Sequence, residues 1–290
     1  MPNHNSQPLI AYVNGHFLPL DEATVHIEDR GFQFADGVYE VVACFNGTYL
    51  DLEPHLKRLE RSCQAISIEP PFTLAEMRQW IEHLYAMNNI PCAMIYIQIT
   101  RGVAARAHYT REKLTPTVVM TLRKLPQPTH EKIQAGLTTI TMQDIRWKRC
   151  DIKSIAMLAS VMGKYEAVAQ GADETIWLDE ENHVLEGCST NLFAIIDGAL
   201  VTHPLDHQVL GGITRDMVIR LAKANHLEVQ ERQWTLDEQG LSEVMLSSTT
   251  NAIMPITRIN HQPLLEGKPG ARTLQIRQWM IEELDKLAAS

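Results

Sequence analysis

Tight-turn dipeptides between apolar runs constrain the fold of this chain more than any other feature of its sequence. Asn14-Gly15 lies within LIAYVNGHFLPL, Asn46-Gly47 within VYEVVACFNGTYLDL, and Asp197-Gly198 within NLFAIIDGALVTH. Such pairs favour two-residue β-hairpin turns, because Asn, Asp and Gly tolerate the positive φ angles that these turns require. The sequence therefore predicts antiparallel strand pairs at these positions and argues against a strict βαβ alternation.

Helical periodicity appears between the strand-like runs. EPHLKRLERSCQAI repeats apolar residues at helical spacing, and TLAEMRQWIEHLYAMNN follows with Thr73 as an N-cap and Glu76 completing a capping box. SIAMLASVMGKYEAVAQG is predicted to be a helix that closes on Gly171. Further helices are expected in TRDMVIRLAKANH and TLQIRQWMIEELDKLAAS. Together with the hairpins, these segments give an α+β protein.

One segment divides the chain. RKLPQPTHEK interrupts both periodicities with Pro126 and Pro128, as linkers do. We therefore expect a small N-terminal α/β domain over 1–125, an interdomain linker over 126–136 and a larger, β-rich C-terminal domain with helices over 137–290. A length of 290 residues with 45% hydrophobic residues suffices for two moderate domains.

The composition excludes several functional classes. A formal net charge of -9 argues against a nucleic-acid or anionic-membrane surface. The five cysteines are scattered without a CxxC motif, which favours buried thiols in a reducing cytosol. Residues 1–10 lack the basic region and apolar stretch of a secretion signal, and no apolar run is long enough to span a bilayer. A cytoplasmic protein is expected.

Common cofactor, metal and nucleophile motifs are absent, including GxGxxG, the P-loop, HExxH and GxSxG. Some weaker patterns could hold an anion. LGGITRD places glycines before a helix start, LSSTTNAI clusters hydroxyls after a strand, and TRGVAARAH brings two arginines close to a histidine. Taken singly, each of these patterns is better explained by an ordinary loop or helix cap.

Two lysines in RWKRCDIKSIAML are candidates for covalent chemistry. A lysine must be neutral before it attacks an aldehyde, and apolar surroundings favour the neutral amine. Lys153 leads into an apolar run from Ile155 to Ala159. Lys148 stands between Arg146 and Arg149, whose charges also favour a neutral amine, but its stretch is expected to be exposed. These arguments favour Lys153 without settling the choice, since most lysines are not catalytic.

A series of short segments, taken together, resembles a known family. In chain order they are EDRGFQFADGVYEVV, EPHLKRL, TRGVAARAH, IRWKRCDIKS, VLEGCSTNLF, GITRD and SSTTN. The same order is found in class IV aminotransferases, which are pyridoxal 5'-phosphate (PLP) enzymes of fold type IV with two domains. The resemblance covers nearly the whole chain from Ile10 onward and is closest to the bacterial D-amino acid transaminases of that family.

The resemblance implies PLP as the cofactor and assigns residues to it. Lys153 resembles the family's Schiff-base lysine, Glu186 its partner for the pyridine nitrogen, and Arg58 its phosphate-binding arginine. Lys148 matches no catalytic position. The remaining cofactor contacts are expected from Leu210 against the ring and from Ile213, Thr214, Ser248 and Thr249 at the phosphate.

The resemblance also implies a substrate site. Arg106 and His108 match the pair that binds the substrate α-carboxylate in the D-amino acid enzymes, with Tyr39 and Ser189 as further pocket residues. The implied reaction is ping-pong transamination between a D-amino acid such as D-alanine and a 2-oxo acid such as 2-oxoglutarate. The family forms homodimers in which the loop carrying this pair lies in or near the neighbouring subunit's site.

The match has departures, and rival functions stay open. Cys188 and Thr190 stand where serines are common, Phe32 where Tyr is frequent, and Ala35 where Gly is frequent. The first two put the substrate preference in doubt. A branched-chain L-amino acid aminotransferase and an aminodeoxychorismate lyase would share the lysine and cofactor, and a non-catalytic PLP-binding protein is a third alternative. The Arg106–His108 pair argues against the lyase.

Overall fold

The computed structural model describes residues 8–289, with side chains through residue 286. The chain divides into two compact units. The first holds the described part of Met1–Leu125 together with Ile152–Ala156, and the second holds Pro126–Asp151 and the described part of Met157–Ser290. The prediction that residues 1–10 carry no secretion signal concerns mostly residues 1–7, which lie outside the described residues. Across residues 8–289, no helix has both the length and the apolar character needed to cross a membrane.

The first unit is built on an antiparallel six-stranded sheet in the order β2-β1-β6-β5-β3-β4. Its strands are β1 (Ile10–Val13), β2 (His16–Pro19), β3 (Gly37–Phe45), β4 (Thr48–Tyr49), β5 (Cys92–Thr100) and β6 (Thr117–Lys124). Val13 pairs with His16 and Phe45 with Thr48, so the predicted Asn-Gly hairpins are confirmed at both turns. Asn14 and Gly15 have φ angles of 46° and 94°, which is the conformation that such turns require.

Three helices belong to this unit: α1 (Arg30–Phe34), α2 (Leu52–Ala65) and α3 (Leu74–Asn88). The predicted capping box is confirmed, because Thr73 Oγ1 accepts a hydrogen bond from the Glu76 amide and the Glu76 carboxylate accepts one from the Thr73 amide. Apolar side chains of α2 and α3 pack on the sheet, and Ile152 contributes to the same core. This packing places the chain around residue 153 beside β3.

The second unit contains a nine-stranded mixed sheet, β12-β11-β10-β13-β14-β7-β8-β9, with β15 paired to β14. Its elements are α4 (His130–Ala135), β7 (Leu137–Gln143), α5 (Leu158–Ala169), β8 (Glu174–Leu178), β9 (Val184–Gly187), β10 (Asn191–Ile196), β11 (Ala199–Thr202), α6 (Ile213–Ala224), β12 (Val229–Glu231), β13 (Leu241–Ser248), β14 (Ala252–Ile259), β15 (Gln262–Pro263), a 3₁₀ turn (Leu265–Gly267) and α7 (Ala271–Ala289). The Asp197-Gly198 hairpin is confirmed between β10 and β11. Pairing of Asn191 with Glu186 links β10 to β9 and closes part of the sheet into a ring.

Two segments differ from the sequence-based expectation. The helix predicted from Ser154 begins only at Leu158, because Ser154 bridges Val38 and the Ile155 amide donates to the Gly37 carbonyl at 3.1 Å. Those bonds to β3 hold the preceding residues in an extended path. Within the expected linker, 126–136, the short helix α4 begins after the N-cap Thr129, and it belongs to the second unit. The domain bounds 1–125 and 137–290 stay a prediction about how the chain folds.

Candidate active site

Lys153 lies on the short extended segment beside β3 in the first unit. Its carbonyl accepts a hydrogen bond from the Tyr39 amide at 3.0 Å, and its own amide donates to Ser62 Oγ at 3.4 Å. The Lys153 Nζ sits 4.2 Å from the centroid of the Tyr39 ring, within the range of a cation–π contact. The side chain is half-buried. The structure therefore brings the predicted lysine and the predicted pocket tyrosine together, whereas Lys148 is exposed in the second unit.

A buried ion-pair cluster lies next to this pair. Glu40 follows Tyr39 in β3, is completely buried, and accepts hydrogen bonds from Arg58 Nε at 2.6 Å and Arg58 Nη2 at 2.9 Å. His55 Nδ1 lies 2.7 Å from the second Glu40 oxygen. His55 and Arg58 face the strand together because they are three residues apart on α2. The predicted phosphate-binding arginine is thus fixed in orientation by a carboxylate.

The charges in this cluster are set by burial and by their partners. Burial would raise the pKa of Glu40, but the Arg58 charge and the His55 and Arg58 hydrogen bonds outweigh it and lower that pKa to about 2. Burial lowers the pKa of His55, and the hydrogen bond with Glu40 only partly opposes that effect. At neutral pH we therefore expect an ionised Glu40 and a neutral His55 that donates its Nδ1 proton.

Arg106 and His108 lie on the connection between β5 and β6, and both side chains are exposed. They meet at the ring of Phe34, at the end of α1. The Arg106 guanidinium carbon lies 4.6 Å from the ring centroid, and the His108 ring contacts the same ring edge-on at 5.5 Å between centroids. Arg106 and His108, which the sequence predicts to bind the substrate carboxylate, are therefore grouped around one aromatic side chain.

In the second unit, Glu186 at the end of β9 is held by several donors. One carboxylate oxygen pairs with Arg146 Nη1, and the other accepts hydrogen bonds from Asn191 Nδ2 at 3.2 Å and from the Leu210 amide at 2.9 Å. The Asn191 amide group also donates to the Leu210 carbonyl at 2.8 Å. Glu186 and Leu210, both predicted cofactor residues, are thus joined directly.

Asp144 supports this arrangement from the other side of Arg146. It accepts hydrogen bonds from Arg146 Nε at 2.9 Å and Nη2 at 2.8 Å. Burial alone would lower the pKa of Arg146, but the Asp144 hydrogen bonds and the Glu186 charge outweigh it and raise that pKa. The guanidinium is therefore a permanent positive charge between two carboxylates.

The start of α6 offers donors for an anion. Ile213 and Thr214 form the first turn of this twelve-residue helix, where amide groups have no acceptor within the helix. The N-cap is Gly212, and a Cβ there would come within 2.0 Å of Asn191 Oδ1, so only glycine fits beside the Glu186 network. At the end of β13, Ser248 Oγ accepts from the Asn251 amide at 3.1 Å and lies 3.3 Å from Thr250 Oγ1.

The turn between β9 and β10 carries the predicted Ser189. This side chain is exposed, while Cys188 and Thr190 on either side are buried. The Thr190 carbonyl accepts from the Gly187 amide at 2.8 Å, which closes the turn. Burial raises the pKa of Cys188 to about 12, so its thiol stays protonated. Thr190 Oγ1 is buried without a hydrogen-bond partner among the described residues.

These donor sets fit the chemistry of PLP. A carboxylate that accepts hydrogen bonds from Arg146, Asn191 and a backbone amide fits as the partner of a protonated pyridine nitrogen. The amides that open α6 fit a phosphate dianion. Lys153 carries the amine that an aldehyde cofactor requires. Of the candidate cofactor residues, Arg58 and Lys153 belong to the first unit, and the second unit holds Glu186, Leu210, Ile213, Thr214, Ser248 and Thr249.

Several residues of these clusters were missed from sequence. Glu40 could have been noticed as a lone charge in the apolar run GVYEVVACF, which predicts a buried partner. His55 and Arg146 carried no comparable signal, because each is one polar residue on an ordinary amphipathic or charged stretch. Asn191 lies inside a quoted motif, but its bonds to Glu186 and Leu210 depend on strand pairing that the sequence does not reveal.

Comparison with known proteins identifies the family of this chain. The model of the amino-transferase class IV family matches residues 37–259. Similar curated proteins include the D-alanine aminotransferase of Listeria monocytogenes serotype 1/2a (strain 10403S), 40% identical over 278 residues that cover 94% of this chain and 96% of that protein. The D-alanine aminotransferase of Staphylococcus epidermidis (strain ATCC 35984) is 35% identical over 268 residues, covering 92% and 95%.

Solved structures share the fold. The branched-chain amino acid aminotransferase of Thermobaculum terrenum (M3 mutant) is 27% identical and has a TM-score of 0.83, covering 96% of this chain and 93% of that chain. The branched-chain amino acid aminotransferase of Escherichia coli has a TM-score of 0.88 at 23% identity, covering 95% of this chain and 94% of that chain.

The fold and the donor sets define a fold type IV, PLP-dependent enzyme. The chain belongs to the class IV aminotransferases.

Proposed function

We propose that this aminotransferase moves the amino group of a D-amino acid, such as D-alanine, to a 2-oxo acid, such as 2-oxoglutarate. The observation that carries the proposal is that Arg106 and His108 both contact the ring of Phe34. A guanidinium grouped with an imidazole supports binding of a substrate carboxylate. The D-alanine aminotransferases of Listeria and Staphylococcus, at 40% and 35% identity over nearly the whole chain, support it.

Lys153 is assigned the proton transfer. When bound, PLP supplies an aldehyde that condenses with amines and a ring that accepts the electron pair left on the substrate Cα. In the first half-reaction the Lys153 amine would accept the substrate Cα proton as a base and then deliver it as an acid to the C4′ carbon of PLP, and the second half-reaction would reverse these two transfers. Tyr39, whose ring lies 4.2 Å from the amine nitrogen, limits the positions that this amine can reach.

Glu186 is assigned to the pyridine nitrogen and Arg58 to the phosphate. Arg146 and two further donors fix the orientation of the Glu186 carboxylate, which is the acceptor that a protonated pyridine nitrogen requires. Arg58, oriented by Glu40, provides a guanidinium of defined direction. Leu210 is assigned to packing against the ring, and Ile213, Thr214, Ser248 and Thr249 to the phosphate.

Substrate positioning is assigned to the remaining residues. Arg106 and His108 bind the α-carboxylate, with Tyr39 and Ser189 lining the pocket. Fixing the carboxylate decides which face of Cα meets the Lys153 amine, and this selects D over L amino acids. Because Cys188 and Thr190 are buried while Ser189 is exposed, the two departures from the serine pattern act on the turn's packing.

A branched-chain L-amino acid aminotransferase is the second candidate, since the similar solved structures have that activity in their names. A panel of amino donors distinguishes the two. The purified enzyme with PLP is mixed with single D- or L-amino acids, and conversion to the pyridoxamine form is followed by absorbance. We expect conversion by D-alanine and not by L-leucine. Conversion by L-leucine with no response to D-alanine would overturn the proposal in favour of the second candidate.

We further propose a cytoplasmic homodimer. Along α5, an exposed apolar stripe repeats at helical spacing and consists of Leu158, Val161, Met162, Tyr165 and Val168. An exposed patch of this kind on a protein with a net charge of -9 is typical of a subunit interface. Light scattering at micromolar concentration is expected to give twice the chain mass of 32.8 kDa.

A further inference from the structure

The connection that carries Arg106 and His108 has little packing of its own. It contains no helix or strand between residues 104 and 116, and Arg106, His108 and Tyr109 are all exposed. Its backbone begins with a bridge between Val103 and Asp29. Side chains from elsewhere in the first unit must therefore fix the position of the two candidate carboxylate ligands.

Arg30, at the start of α1, makes those contacts. Its side chain is 7% exposed, and its Nη1 donates to the Ala107 carbonyl at 2.6 Å while Nη2 donates to the His108 carbonyl at 3.1 Å. The third direction of the guanidinium, Nε, donates to Asp36 at 2.8 Å. One planar group thus joins the loop backbone to a fixed carboxylate. A lysine amine cannot reproduce this geometry, because it lacks the rigid fork.

Asp36 is itself anchored. Arg101 donates to both of its oxygens, at 2.8 Å and 2.9 Å, and also to the carbonyls of Ile66 and Ser67 after α2. Burial would raise the pKa of Asp36, but the hydrogen bonds from Arg101 and Arg30 outweigh it and lower that pKa. The anchor of Arg30 is therefore a charged carboxylate at neutral pH, tied to the end of a helix.

Phe34 connects Arg30 to the ligand pair directly. The guanidinium carbons of Arg30 and Arg106 lie 4.9 Å and 4.6 Å from the centroid of its ring, and His108 contacts the same ring. The ring thus fixes the side-chain direction of Arg106, and the bonds of Arg30 fix the backbone beside it. Both constraints originate in α1.

We propose that Arg30 is a positioning residue for substrate binding: through Ala107, His108 and Phe34 it holds the loop in the conformation in which Arg106 and His108 bind the amino acid carboxylate. This inference rests on the proposed function. Arg30 touches neither cofactor nor substrate in this role, so its replacement weakens substrate binding more than it slows proton transfer.

The test is Arg30→Lys in the PLP-loaded enzyme. Single-turnover conversion is measured over a range of D-alanine concentrations, which separates the apparent dissociation constant from the limiting rate. The dissociation constant is expected to rise about tenfold or more, with a limiting rate within about threefold of wild type. The absorbance of the bound cofactor should not change. A loss confined to the limiting rate, or no change in either quantity, would overturn the inference.

Three further variants make the result specific. Arg111→Lys makes the same change at an exposed position of the same connection and is expected to bind D-alanine like wild type. Arg106→Gln tests the proposed function itself and should raise the dissociation constant. The double variant Arg30→Lys with Arg106→Gln should lose less binding than the product of the two single effects, because part of the Arg30 effect passes through Arg106 and only the part through His108 remains. Additive effects would mean that Arg30 acts independently of Arg106.

Hydrogen exchange separates failure of the inference from failure of the proposed function. Amides of residues 103–110 should exchange faster in Arg30→Lys than in wild type, whatever the substrate. If Arg106→Gln raises the dissociation constant and Arg30→Lys does not, Arg30 has no positioning role. If Arg106→Gln leaves binding unchanged, the carboxylate assignment fails, and the inference with it. If Arg30→Lys does not fold, Phe34→Leu replaces it, and normal D-alanine binding by Phe34→Leu would contradict the inference.

Discussion

Two buried glutamates, one in each unit, are both paired with an arginine but are held in different ways. Glu40 is completely buried and bonds Arg58 twice and His55 once. Glu186 bonds one nitrogen of Arg146, and the other two nitrogens of that guanidinium bond Asp144. If Glu186 lost its charge, Arg146 would keep a carboxylate partner. If Glu40 lost its charge, the hydrogen bonds from Arg58 at 2.6 Å and 2.9 Å would lose their charged acceptor.

Because of this difference, we expect changes at Glu40 to affect mainly stability and changes at Glu186 to affect mainly catalysis. Replacing a buried carboxylate that binds an arginine twice destabilises the fold strongly, because the arginine loses a close opposite charge in a low-dielectric site. A carboxylate in a network with a second acid can be changed at smaller cost to the fold. We therefore expect Glu40 to be required mainly for folding and Arg58 placement, and Glu186 mainly for the function of the cofactor.

The largest effect is expected for Glu40→Gln. Removing this buried charge should lower the free energy of unfolding by about 3–5 kcal/mol, because Arg58 stays buried. Calorimetry of the cofactor-free protein measures the change. Glu22→Gln, at an exposed position, is the matched control and should stay within about 0.5 kcal/mol of wild type. A Glu40→Gln protein as stable as wild type would remove the basis of the comparison.

Glu186→Gln should have the opposite profile. We expect the rate of transamination to fall by about 10²–10³-fold, as when one electrostatic contact to the reacting group is removed, with a modest loss of stability because Asp144 still pairs with Arg146. Steady-state kinetics and calorimetry on the same samples give both quantities. Glu180→Gln, an exposed change in the same unit, should affect neither. A large loss of stability with normal activity would reverse the assigned roles.

Acid titration sharpens the comparison for the first unit. The pKa of Glu40 is about 2 in the folded protein against an ordinary 4.5, so its stabilisation is present above pH 4.5 and is lost as the pH falls towards 2. His55, whose pKa is lowered from 6.5, adds a loss that begins below pH 6.5. The Glu40 part amounts to about 3 kcal/mol. From pH 7 downward, the free energy of unfolding should fall less steeply in Glu40→Gln than in wild type. Equal slopes in the two proteins would contradict the stabilising role of the Glu40 charge.

The smallest expected effect is a gain in stability from a change at Ala35. Ala35 ends α1 with φ 54° and ψ 31°, a left-handed conformation that disfavours side chains with a Cβ. Ala35→Gly should raise the free energy of unfolding by about 0.5–1 kcal/mol, since relief of strain exceeds the added chain entropy of glycine. A destabilised Ala35→Gly would mean that contacts of the Ala35 methyl group outweigh the backbone strain.

Much of the fold could be predicted from local signals. The Asn-Gly and Asp-Gly turns, the capping box at Thr73 and the main helices depend on residues close in sequence, and the structure confirms them. The start of α5 was predicted wrongly, because backbone bonds from Ser154 and Ile155 to β3 override a helical pattern. Strand order and the closing pair Asn191–Glu186 depend on long-range pairing and could not be predicted from local signals.

The candidate site was predictable only in part. Physical reasoning favoured Lys153 over Lys148, and the resemblance supplied the roles of Glu186, Arg58 and Arg106. The residues that hold these groups were not predictable. Glu40 and Asp36 bind partners distant in sequence, and Asp144 supports Glu186 only through Arg146, which is 40 residues from Glu186. Such contacts leave no spacing that a single sequence could reveal.

The most direct measurement identifies the amine that binds the cofactor. The purified enzyme is supplied with PLP, treated with borohydride and digested, and the peptides are analysed by mass spectrometry. A phosphopyridoxyl group is expected on the peptide that contains Lys153. In Lys153→Ala, both this group and transamination activity should be lost. Attachment at Lys148 or elsewhere, or full activity in Lys153→Ala, would contradict it.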